Sequence, residues 1–313
     1  VAEIRAAEGR TTHQATVALP ELRRGNVAVV IATVTPGFLA ADVGPNFQPQ
    51  SALYRTPQEA EAQALILLKS VADLDDHLTL WRNDRVPGIV LLMEGADPIV
   101  HVRDLPRWWR RGLRMVGLTF GDTRYGRGVA GGSSTMGRGG LTPEGIALLD
   151  SMTELGFMWD ISHLTDDGVW EGLGRGPVRV CASHANARAL TPTDRHLSDE
   201  VIRAVAARDG VIGLVLYNGF LDSAWRRDHA IPVSVIDQLA RHAAHMAGLI
   251  GWSHLGIGSD LDGGFGREEC PREIDSITDL ARAGDAAPTD ARERLLGGNW
   301  LRFLRTALPR SAA

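Results

Sequence analysis

Phe157-Met-Trp-Asp-Ile-Ser-His163 and Val178-Arg-Val-Cys-Ala-Ser-His184 are two apolar, strand-like runs, and each ends in Ser-His. The residues between them read as a single helical connection. A β-α-β unit of this length makes adjacent parallel strands, so the two histidines emerge side by side at one carboxyl-end rim. Neutral imidazoles held that way suit a zinc-type metal. One histidine at the end of an apolar run is more often a hydrogen-bonded core or rim residue. Two such endings in consecutive units shift the weight toward a metal.

The same alternation extends in both directions. Residues 1–9 read as a polar helix end and residues 19–25 as a short helix closed by glycine. Residues 26–35 form a continuous apolar run, a buried parallel strand, and residues 37–54 a long polar loop. A helix is expected over 57–76, with Thr56 as N-cap and Pro57 at the first helical position. Further strands are read at 88–94, 113–119, 210–217 and 255–260, and further helices at 102–111, 142–155, 198–209, 232–248, 274–283 and 289–307. Trp108 and Trp109 are packing residues in this reading. The glycine-rich stretch 121–140 lacks phosphate-cradle spacing and reads as a rim or lid.

Seven strands alternating with helices give the pattern of an α/β (β/α)8 TIM barrel with one strand, most simply the first, missing or incomplete. Residues 1–313 are expected to form one domain. Catalytic groups of such barrels sit at the carboxyl ends of strands, here Thr35, Glu94, Phe120, His163, His184, Tyr217 and Asp260. Four of these can bind metal or move a proton.

Composition narrows the field. A net charge of −5, 44% hydrophobic and 23% charged residues describe a soluble globular chain with no basic excess for a phosphate backbone. Nucleic acid is not an expected partner. No apolar run approaches a membrane span, and neither the start nor the tail 308–313 reads as a signal or anchor. Cys181 and Cys270 read as two free thiols, which fits a reducing cytoplasm. The 33 basic residues include one lysine, Lys69, within an expected helix. A lysine that bridges metals therefore has almost nowhere to sit, and any such bridge falls to a carboxylate.

Eight pieces in order, Met93-Glu-Gly95, Gly140-Leu-Thr-Pro-Glu-Gly145, Asp160-Ile-Ser-His163, Ala182-Ser-His-Ala-Asn186, Asp194-Arg-His-Leu-Ser-Asp199, Leu216-Tyr-Asn218, Gly256-Ile-Gly-Ser-Asp-Leu-Asp-Gly263 and Gly297-Gly-Asn-Trp-Leu-Arg302, resemble the membrane (renal) dipeptidases. These are binuclear zinc peptidases on an amidohydrolase-type barrel. The resemblance implies that Glu94 bridges two zincs, that His163 and His184 bind the second, and that Asp260 handles the proton at the reaction centre. It implies that Arg195 grips the substrate carboxylate, with Tyr217 beside it in substrate binding. Read without the resemblance, Arg195 is a surface arginine near a helix start. Asp262 reads as turn-forming or as supporting the site, and His101, His196, His242, His245 and His254 as structural or exposed.

Two departures from the family pattern stand out. The family holds its first metal with a His-x-Asp pair on strand one; the only nearby histidine here is His13, followed by Gln14 and Ala15. One zinc rather than two is therefore expected. A chain that starts late accounts for this most simply, and the chain as given is expected to be a weaker peptidase than one carrying that strand. Phe120 also stands where better-known members carry a histidine, although a bacterial branch with an aromatic before Thr-Arg-Tyr, as in Thr123-Arg-Tyr125, lacks it too. The implied activity is zinc-dependent hydrolysis of dipeptides or related short amides with a free carboxylate, and a homodimer is compatible with it. The alternatives are a metal-deficient barrel that binds a small carboxylate ligand without catalysis, and a mononuclear amide or ester hydrolase.

Overall fold

A computed structural model of the chain describes residues 16–34, 66–130, 139–176, 178–226 and 233–311. They fall into two compact units, one drawn from Ala28–Ser183 with Arg302–Ala313, the other from Val1–Val27 with His184–Leu301. Expectations for residues 1–15 (His13 included), for the loop 37–54 and for 56–65 concern positions outside the described residues.

The first unit is a parallel sheet in the order β1 (Val29–Val34), β3 (Gly88–Glu94), β4 (Leu113–Gly117), β5 (Met158–Asp160), β6 (Arg179–Cys181). β3 is buried from Gly88 to Met93, which is why it reads as a continuous apolar run rather than an alternating one. β1 pairs with it from Val29 opposite Gly88 to Val34 opposite Met93. β2 (Ile66–Leu67) pairs with Gly88 and Ile89 as well. Since β1 occupies one edge of β3 over that length, β2 takes the start of the other edge, ahead of β4.

β2 corrects the helix expected over 57–76. Within its described part, residues 66 and 67 are strand, and the helix α2 (Val71–Asp84) begins later, with Ser70 rather than Thr56 as its N-cap. The Ser70 hydroxyl accepts the Asp73 N–H at 3.1 Å, while the Asp73 carboxylate accepts the Lys69 N–H at 2.9 Å. Pairing with β3 and burial of Leu68 override the local helical pattern. Leu74, His77 and Trp81 make the inward face of α2. Arg114, at the start of β4, is buried. It donates to the carbonyls of Lys69, Trp109 and Leu113 and stacks on the Trp109 ring at 3.8 Å. Desolvation pulls its guanidinium down to about 10, against a raising contribution from Asp73. Trp109 also meets Phe157 edge-on, so it is a packing residue.

Three helices complete the first unit's crossovers: α3 (Leu105–Arg110), α4 (Pro143–Leu155) and α5 (Asp166–Leu173). α4 and α5 are capped by Thr142 and Thr165, whose hydroxyls accept the N–H groups of Gly145 and Gly168. In the second unit, β7 (Ile212–Leu214) and β8 (Leu255–Ile257) pair in parallel. The helices there are α1 (Leu19–Arg24), α6 (Asp199–Ala206) capped by Ser198, the short α7 (Asn218–Leu221) and α8 (Ala240–Ile250), which is preceded by a π turn at Val235–Leu239. Another π turn, Arg294–Gly298, leads into α9 (Asn299–Ala307), and the helix expected over 274–283 is a 3-10 segment at Ile277–Ala286. With β2, the described residues contain eight strands, one more than the sequence alone suggests.

Candidate metal centre and its surroundings

Glu94 is the last residue of β3, His163 follows β5 by three residues, and His184 follows β6 by three. Their ligating atoms all lie within 4.8 Å of one another. Both histidines are buried and Glu94 is half-buried. Two imidazoles and a carboxylate are a donor set suited to zinc and similar divalent metals.

His163 is held on several sides. Its φ of 67° turns the chain sharply after the strand. Its Nδ1 faces the Val129 carbonyl at 2.8 Å, and the Val129 N–H donates to the His163 carbonyl at 2.7 Å. A carbonyl can only accept, so Nδ1 carries a proton, and in the neutral ring the lone pair lies at Nε2. That Nε2 lies 3.0 Å from Glu94 Oε1. A lone pair facing a carboxylate at this distance is repulsive unless a proton or a metal cation lies between them, so these residues fit a bound metal. Phe120 stacks on the His163 ring, with centroids 4.5 Å apart, and fixes its plane.

Val129 belongs to the glycine-rich stretch read as a rim or lid. Its described flank packs on His163, and the close approach there needs Gly128, where a Cβ would clash with the Gly121 carbonyl oxygen. Residues 131–138 lie outside the described residues.

The remaining expected site residues belong to the second unit. Tyr217 follows β7 and Asp260 follows β8, at the carboxyl ends of paired parallel strands, where the Leu216 N–H donates to the Ser259 carbonyl. Asp260 and Asp262 both adopt left-handed backbone, with φ of 56° and 65°. The Asp262 carboxylate accepts the N–H groups of Thr16 and Val17 and the Thr16 hydroxyl at 3.0 to 3.1 Å. It therefore moors the segment entering α1, a role beyond turn formation. Arg195 is not a surface residue: it is buried, its guanidinium 5.3 Å from the Phe220 ring centroid, and Tyr217 meets that same ring edge-on.

Sequence reasoning missed how the segment after His184 is moored. The Ala185 N–H donates to the Gly213 carbonyl of β7. The Asn186 amide pairs with both N–H and C=O of Val215, imitating a further rung of strand. His196 Nδ1 accepts the Asn186 N–H and His242 Nδ1 accepts the Ala187 N–H, both at 3.2 Å. Burial is the main reason that both rings are held neutral. His242 is lowered to about 4, with the Leu221 hydrogen bond opposing and Arg241 assisting, and His196 falls well below its usual value, assisted by Arg195, His242 and Arg188. The unfolded chain takes up a proton near pH 6.5 and folded His242 only near 4, so the unfolded state binds more protons in between and stability falls as pH drops through that window. We expect urea unfolding to show a loss from this group of about 2 kcal/mol between pH 7 and pH 4.5, and a flatter profile for His242→Gln. Parallel profiles would contradict this.

Parallel α/β sheets with two imidazoles and a carboxylate gathered after strand ends fit a metal-dependent enzyme. The family model described as "Membrane dipeptidase (Peptidase family M19)" matches residues 2–311, and the chain belongs to that family of metallopeptidases. An uncharacterized protein in the pqqA 5′ region of Klebsiella pneumoniae is 32% identical over 254 residues, 78% of this chain and 89% of that protein. A dipeptidase of Aspergillus oryzae is 31% identical over 305 residues, 92% of this chain and 69% of that protein. The fold is similar to that of a metallopeptidase from Rhodobacter sphaeroides liganded with a phosphinate mimic of the dipeptide L-Ala-D-Ala, with a TM-score of 0.78, 23% identity, and coverage of 96% of this chain and 92% of that one. Among the described residues, no helix is long and apolar enough to cross a membrane.

Proposed function

We propose that this protein is a zinc-dependent hydrolase of dipeptides or closely related short amides with a free carboxylate. The observation that carries the reading is the Glu94, His163 and His184 cluster at three strand ends in a chain of this family. These three residues would hold the metal. A zinc ion supplies Lewis acidity and lowers the pKa of water toward neutrality, which is the chemistry an amide needs. The Val129 carbonyl and the Phe120 stack hold the His163 ring in place, so little reorganisation of that ligand is required on binding. Asp260 is the proton carrier in this reading, its carboxylate taking a proton during attack and returning it to the departing amine. Arg195 supplies a planar, permanently charged fork for the terminal carboxylate of the substrate, held against Phe220 with Tyr217 alongside.

Assay of a dipeptide panel with added zinc, each dipeptide paired with its C-terminal amide, tests this. The free acids should be hydrolysed and the amides disfavoured. For Arg195→Ala, KM for the free acids should rise about 10- to 100-fold, the worth of a charge-assisted pair, with little change for the amides. Equal losses on acids and amides would remove Arg195 from carboxylate recognition. Hydrolysis of lactones in preference to every dipeptide would overturn the peptidase reading.

A further inference from the structure

Resting on the proposed metal site, we infer that Asp160 is a positioning residue that sets the spacing of both histidines through a single carboxylate. Asp160 closes β5, in the middle of the run that ends in His163, and is 1% exposed. Its Oδ1 accepts the Ser162 N–H at 3.0 Å and the Ser183 N–H at 2.8 Å. Its Oδ2 accepts the Ser183 hydroxyl, and the hydroxyls of Ser162 and Ser183 lie 3.2 Å apart. Ser162 immediately precedes His163, and Ser183 immediately precedes His184. One carboxylate oxygen thus binds the backbone just before each histidine, on two strands whose ladder ends at Asp160 opposite Cys181. Hydrogen bonds to one buried acceptor shared by both turns resist their splaying. This accounts for the serine before each histidine: a small hydroxyl fits the closed network and a larger side chain does not. The negative charge is also felt by neighbouring Cys181, whose thiol is pushed up, first by burial and then by Asp160.

The test is zinc titration of the full chain, read by competition with a chromophoric chelator, alongside thermal unfolding of the metal-free protein and histidine count by X-ray absorption. Asp160→Asn keeps Oδ1 as acceptor for both N–H groups and offers its amide to the Ser183 oxygen, so it should retain zinc affinity within a few-fold. Asp160→Ala should lose about 10- to 100-fold, with fewer than two histidines on the zinc. Ser183→Ala, which keeps the backbone bonds, should fold normally and lose a few-fold. Wild-type affinity in both Asp160→Ala and Ser183→Ala overturns the inference. So does equal loss in Asp160→Asn and Asp160→Ala, which would make charge rather than acceptor geometry the cause. If Asp160→Ala does not fold, the ranking of wild type, Asp160→Asn and Ser183→Ala decides. No zinc uptake by the wild type overturns the metal reading itself, a result distinct from uptake that is indifferent to Asp160.

Discussion

Replacing His184 or His163 with alanine is expected to leave the protein without stoichiometric zinc and to lower kcat/KM by about 10³- to 10⁴-fold, because groups that act as one unit fail together. With three candidate donors inside 4.8 Å, loss of one imidazole would leave two. His163→Ala also deletes the Nδ1–H bond to Val129 and the Phe120 stack, leaving the Val129 carbonyl without that donor, which costs about 1–3 kcal/mol of stability. Elemental analysis, dipeptide hydrolysis and metal-free unfolding read all three quantities. Full zinc stoichiometry in both variants would dissolve the site as drawn.

Gly145→Ala is expected to destabilise the protein by at least about 3 kcal/mol, a fall in Tm on the order of 10 °C. Gly145 lies in the first turn of α4, where the helix crosses the chain at Tyr125. A Cβ there would stand 1.8 Å from the Tyr125 carbonyl oxygen and 2.8 Å from its carbon. Both sides of the clash are backbone, so no rotamer change relieves it. Tyr125 cannot retreat either: its carbonyl accepts the Thr142 N–H, and its hydroxyl donates to the Ile99 carbonyl. The helix would have to lift at its capped end, disturbing the glycine-rich strand-to-helix connection that clamps His163. Gly248→Ala is the control. It lies in α8 with open space around a Cβ, and the exchange should stabilise by up to about 1 kcal/mol. Similar, small effects at both positions would show that α4 does not pack on Tyr125 this closely.

The parallel strands, their carboxyl-end rim, and His163, His184 and Glu94 at that rim were legible in the sequence. Strand periodicity and the β-α-β connection are local properties, and a fully buried strand such as β3 announces itself by an unbroken apolar run. Residues 66 and 67 show the limit of local reading. Thr56, Pro57 and the apolar spacing are sound helix signals, but pairing of Ile66 and Leu67 with Gly88 and Ile89 is a long-range event that no window around residue 66 contains. The same holds for what the polar groups do. Asp160 is a carboxylate inside an apolar strand, a signal in itself, yet its partner Ser183 lies 23 residues away. Asp262 reads as a turn residue, and its partner Thr16 is 246 residues distant. Arg195, before a capped helix, looks exposed until Phe220 and its neighbours close over it. Residue type and spacing determined which groups reach the rim; chain closure decided which were buried, what held them, and hence which protonation state and direction each presents, because desolvation and hydrogen-bond pairing exist only once distant segments meet.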